Sequence, residues 1–116
     1  MIPAGVEVYI ALEPIDMRLS FDRLAGLAKE RTGYEARSGA LFVFFGRRKD
    51  ALKVLYFDGS GMMIFYKRLD RHTFKIPEAP HADVRYVEVD DAALDALLDG
   101  VDIESAVVAR SRPKTH

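Results

Sequence analysis

The stretch that most restricts the fold is residues 40–75, ALFVFFGRRKDALKVLYFDGSGMMIFYKRLDRHTFK. It holds three apolar runs, at 41–45, 52–57 and 62–66, each bounded by glycine or a cluster of charge. Runs of that length suit strands and are too short for buried helices. Their connections are Gly46-Arg47-Arg48-Lys49-Asp50 and Asp58-Gly59-Ser60-Gly61. A parallel crossover takes a dozen residues or more, so these short links make the three runs an antiparallel meander. The second link is rich in residues that accept positive φ, as tight hairpins require.

Antiparallel order brings distant cations together. The end of the first run, the start of the second and the end of the third share one edge. Arg47, Arg48 and Lys49 therefore approach Lys67, Arg68 and Arg71, with Lys53 near the same end. Only Asp50 and Asp70 offset them, and the Asp58 turn lies at the opposite end. The chain's net charge of −1 conceals this segregation. Residues 40–75 carry 8 Lys/Arg against 3 Asp/Glu, whereas residues 76–108 carry 1 against 9. Such asymmetry bears on partners rather than on fold. Either the basic part meets an external polyanion, or the two parts face each other.

Before the meander, residues 6–12 form a β-branched and aromatic run, read as a first strand that Pro14 stops. Asp16 is the expected cap of a helix starting at 17 or 20 and ending at 31. Phe21, Leu24, Ala25 and Ala28, widened by Leu27, mark its core-facing stripe, and Gly33 its stop. After the meander, 84–89 reads as a fifth strand. Asp90 caps a helix over 91–99, with Leu94, Leu97 and Leu98 inward and Gly100 as the stop. Asp91, Asp95 and Asp99 repel one another on its outer side.

On the middle meander strand, Leu52, Val54 and Tyr56 face one way and Lys53, Leu55 and Phe57 the other. The second face is apolar enough to need a cover. The C-terminal unit can supply it; so can a second copy or a protein partner, with Phe57, Phe65, Asp91 and Asp95 as the candidate interface residues. A third reading leaves the aromatic face open for stacking bases. The expectation is a single α+β domain over 1–104: an antiparallel meander of about five strands with two helices, in the order βαβββ-βα. A basic, flexible tail follows at 105–116.

Catalytic chemistry finds little support. Without cysteine there is no disulfide, thiolate nucleophile or Cys-held zinc. His72, His81 and His116 lack metal-ligand spacing. Asp-Gly-Ser-Gly lies between strands and lacks the Lys-Ser/Thr of a phosphate loop. No catalytic residue, metal or cofactor is expected. The N-terminus lacks the pattern of a secretory signal, and no run reaches the roughly 18 apolar residues of a membrane helix. The expected setting is cytoplasmic, with no membrane partner.

One ordered set of residues carries a family resemblance. It runs from Leu41-Phe42-Val43-Phe44-Phe45-Gly46-Arg47-Arg48 and Asp50 through Lys53-Val54-Leu55-Tyr56-Phe57-Asp58-Gly59-Ser60-Gly61 to Phe65-Tyr66-Lys67-Arg68-Leu69. Val8-Tyr9, Asp16-Met17-Arg18, Phe21-Asp22, Leu24-Ala25 and the stretch 74–77 also fit. Over roughly residues 5–100 the chain resembles the TnpB (second open reading frame) accessory proteins of the insertion sequence 66 family of bacterial transposons. It departs at Tyr56-Phe57, where paired tryptophans are common, and at Phe45, where an arginine is frequent. The resemblance implies a non-catalytic role in DNA transposition beside a separate transposase, and it carries over no binding residue. Two mechanisms stay open. In one, DNA phosphates meet the basic tail and the edge formed by Arg47, Arg48, Lys49, Lys53, Lys67, Arg68 and Arg71. In the other, the protein is an adaptor that docks on the transposase or a sister accessory protein, with homo-oligomerisation also open.

Overall fold

A computed structural model describes residues 4–103. Five strands and two helices follow one another as β1 (Val8–Ala11), α1 (Phe21–Thr32), β2 (Leu41–Phe45), β3 (Ala51–Phe57), β4 (Met62–Arg68), β5 (Tyr86–Val89) and α2 (Asp91–Leu98). A single 3-10 turn at Ala36–Ser38 precedes β2. The expected tail at 105–116 lies outside the described residues.

The α+β class and the β2–β3–β4 meander are as expected, with Phe42 opposite Leu55 and Val54 opposite Phe65. The sheet is nevertheless mixed rather than purely antiparallel. Its order is β4-β3-β2-β1-β5, and β1 runs parallel to β2, with Val8 opposite Leu41 and Ile10 opposite Val43. The reason is the long connection between them. It is spacious enough for a helix to cross the sheet and return the chain in the same direction. β5 then closes the other side of β1, antiparallel to it.

That crossover decides what covers each face. α1 lies against Tyr9, Ala11, Phe42, Phe44 and Leu55, through Leu24 and Ala28. α2 lies against Val8, Ile10, Val43, Phe45, Leu52 and Val54, through Ala93, Leu94, Leu97 and Leu98. Phe74 and Ile103 complete the second layer. The Lys53–Leu55–Phe57 face is thus covered by α1, not by the C-terminal unit, which takes the opposite face. β1 and β2, central and covered on both sides, are buried throughout, and this is why they read as unbroken apolar runs rather than alternating ones. Burying a leucine fully, as at Leu52 or Leu94, contributes roughly 1.5–3 kcal/mol.

Helix boundaries shift in instructive ways. Ser20, not Asp16, is the N-cap of α1, because Asp16 is used in a turn described below. Phe21, expected in the core stripe, is 44% exposed, and the buried positions are Leu24, Ala28 and Thr32. Thr32 Oγ1 satisfies itself on the Ala28 carbonyl at 2.7 Å. Gly33 ends the helix at φ 81°, as the left-handed stop requires. In α2 the Asp90 carboxylate accepts the Ala93 N–H at 2.8 Å, the expected cap.

Candidate functional site

The basic edge is built from three segments, beginning with the one after β1. The Ile15 N–H donates to the Phe45 carbonyl at 2.8 Å, and Ile15 pairs with Gly46 in a parallel bridge. This lays 15–18 alongside the end of β2. Gly46 makes the approach feasible: a Cβ there would sit 2.7 Å from Met17 Cγ. Asp16 accepts the Arg18 backbone N–H at 2.9 Å and the Arg18 guanidinium at 2.8 Å (Nη2) and 3.1 Å (Nε). The hydrogen bond from the Arg18 side chain, then that from its backbone, holds the Asp16 carboxyl well below the usual carboxylate range. The charge of nearby Arg47 adds to the effect.

The second segment is the β2–β3 turn. Gly46 N–H donates to the Ala51 carbonyl at 3.1 Å, and Lys49 N–H to the Gly46 carbonyl at 3.0 Å. Arg47 and Arg48 take the two corner positions and are exposed. Lys49 closes the turn at φ 64°, an uncommon conformation for a residue with a side chain. Two backbone bonds brace it: Leu69 N–H to the Asp50 carbonyl at 2.8 Å and Phe74 N–H to the Lys49 carbonyl at 2.7 Å. The third segment is β4, where Arg68 stands opposite Ala51 and Tyr66 opposite Lys53.

Together these segments enclose an open groove of about 520 Å³, lined among others by Asp16, Arg18, Arg47, Arg48, Tyr66 and Arg68. Arg18 is committed to Asp16. Arg47, Arg48 and Arg68 make no ion pair among the described residues, although Asp50 also borders the groove. Three unneutralised guanidiniums around one depression repel each other and present planar donor forks suited to phosphate oxygens.

Of the seven cations expected at this edge, three therefore line the groove. Lys49 and Arg71 are exposed but do not line it. Lys53 is not at the surface at all: it is 8% exposed, donates to the Leu19 carbonyl at 2.7 Å, and lies 5.1 Å from the Tyr66 ring centroid. As a β3 residue opposite Phe44, it points under α1 instead of toward solvent. Lys67 turns to the other face and donates to the Leu98 carbonyl at 2.7 Å, at the end of α2. Arg18 and Tyr66 also line the groove, and neither belongs to the expected cation set. The Asp16-Met17-Arg18 spacing held a signal for Arg18, but Asp16 also reads as a helix cap.

The four candidate interface residues do not form one surface. Phe57 is half-buried on the α1 side, with the Arg37 guanidinium 5.7 Å from its ring centroid. Phe65 packs on the α2 side. Asp91 accepts the Gly5 N–H at 2.9 Å, and Asp95 is exposed. At the far end of the meander, the Asp58 carboxylate accepts from Ser60 N–H (2.9 Å), Ser60 Oγ (2.9 Å) and Gly61 N–H (3.0 Å). These bonds lower its pKa and account for it as a turn residue. Among the described residues, no three His, Asp or Glu side chains converge as metal ligands, and no helix is long and apolar enough to cross a membrane.

Comparison with known proteins adds a relationship. The model of the IS66 Orf2-like proteins matches residues 6–107. An uncharacterized protein of Sinorhizobium fredii, y4hO, is 40% identical over 104 residues, covering 88% of this chain and 88% of its own. A second from the same organism, y4jC, is 28% identical over 106 residues, covering 91% of each. No solved structure matches the chain.

Proposed function

Since the chain belongs to the IS66 Orf2-like family, a group of transposition-associated accessory proteins, we propose that it acts beside a separate transposase by contacting DNA phosphates through its arginine groove. In this reading the protein is cytoplasmic and non-catalytic, and the strand-transfer chemistry belongs to the transposase. The observation that carries the reading is the set of three guanidiniums, Arg47, Arg48 and Arg68, gathered on a braced turn and an edge strand without a carboxylate partner among the described residues. Phosphate contacts of this kind release counterions, so they give affinity and strong salt dependence with little sequence preference.

Fluorescence anisotropy with labelled duplex DNA tests it. Binding should be measurable at about 50 mM salt and fall with a log–log slope near −3, about 0.9 for each of three neutralised phosphates. Absence of binding at that salt contradicts the reading.

A second reading, docking on the transposase without DNA, is supported by the acidic side of the molecule. Residues 90–102 hold Asp90, Asp91, Asp95, Asp99 and Asp102 and no lysine or arginine. Co-purification with the transposase that survives replacement of Arg47, Arg48 and Arg68 by alanine favours it.

A further inference from the structure

We infer that the groove takes an unpaired DNA strand, with a base stacked on Tyr66 and the flanking phosphates on Arg47, Arg48 and Arg68; this rests on the DNA reading above. Phosphate contacts alone do not distinguish duplex from single strand. Tyr66 supplies what they lack. It is 54% exposed and lines the groove together with the three arginines. It is not among the residues packed into the layer beneath α1.

The ring is also prepared for stacking. Lys53 Nζ lies 5.1 Å from its centroid and is itself fixed by the Leu19 carbonyl at 2.7 Å. A buried ammonium engaging the π-system orients the ring and leaves Tyr66 exposed to a partner on the solvent side. The surrounding arginines can add their own planes to a stack. In a duplex the base faces are occupied by neighbouring pairs, so only an unpaired strand can use this platform. A groove of about 520 Å³ is within the range that holds a small-molecule-sized group such as a nucleotide.

The test compares a labelled oligo-dT of about 15 nucleotides with a duplex of equal length, for the wild type, Tyr66→Leu and Tyr66→Phe. Oligo-dT should bind more tightly than duplex. Tyr66→Leu should weaken oligo-dT by about fivefold or more while leaving duplex affinity unchanged, and Tyr66→Phe should retain the wild-type affinity. Circular dichroism checks that both variants keep the fold. Equal loss on both DNA forms, no loss with Tyr66→Leu, or preference for duplex overturns the inference. If both forms bind with an arginine-dependent salt slope and Tyr66 is silent, phosphate contact stands and the stacking platform falls. If neither form binds, both readings fall.

Discussion

Asp16 and Arg18 occupy the wall of the groove and do so as a closed pair. The carboxylate is hydrogen-bonded to its partner's side chain and backbone, so its folded-state pKa lies below the ordinary value of 3.8. A depressed carboxylate contributes stability that is present above the unfolded-state pKa and is lost as the pH falls through the folded one. The pair therefore persists at neutral and mildly acidic pH, and it loosens only in strong acid. Carbon-detected NMR titration should find Asp16 ionised well below the usual carboxylate range, and Arg18→Ala should bring its titration back toward 3.8. An unshifted Asp16 in the wild type contradicts this geometry. The pair was not legible in the sequence because Asp16 offered a plausible helix cap. Only the bridge between Ile15 and Gly46, formed by residues far apart in the chain, directs it elsewhere. Lys53 misled for the opposite reason: its sequence neighbours place it close to the basic end, but strand alternation turns it beneath α1, where Leu19 holds it.

Among the elements, α2 receives a cation from β4 at its C-terminal end. Its last turn lacks any basic residue and its C-cap is Asp99, so the negative end of its dipole faces an acid. Lys67 of β4 answers this by donating to the Leu98 carbonyl. Lys67→Met should lower the urea midpoint by the equivalent of about 1 kcal/mol. It should leave the salt slope of DNA binding unchanged, whereas loss of a phosphate contact reduces that slope by about one. A reduced slope with unaltered stability would return Lys67 to the DNA-contacting set. The meander from β2 to β4 was readable because its links are short and local, and two short links admit only antiparallel neighbours. The parallel β1–β2 pair was not, since the long connection containing α1 is compatible with either direction. Once that pairing forms, α1 must cross one face, and α2 is left to cover the other.

Across the whole molecule, charge is segregated: arginines at one end of the meander, aspartates along 90–102. This much was visible in the sequence, because antiparallel order alone converts separated cations into a shared edge. What folding added is selection. Lys53 and Lys67 are withdrawn into structural bonds, Arg18 is neutralised, and Arg47, Arg48 and Arg68 remain around the groove. The most direct test of that selection is a titration of the ¹⁵N-labelled protein with DNA, followed by backbone amide shifts. Perturbations should concentrate at 15–18, 46–50 and 66–68, with little change at 58–61 or along α2. Perturbations centred on α2 or the Asp58 turn, or DNA binding that leaves residues 46–50 unshifted, would contradict it.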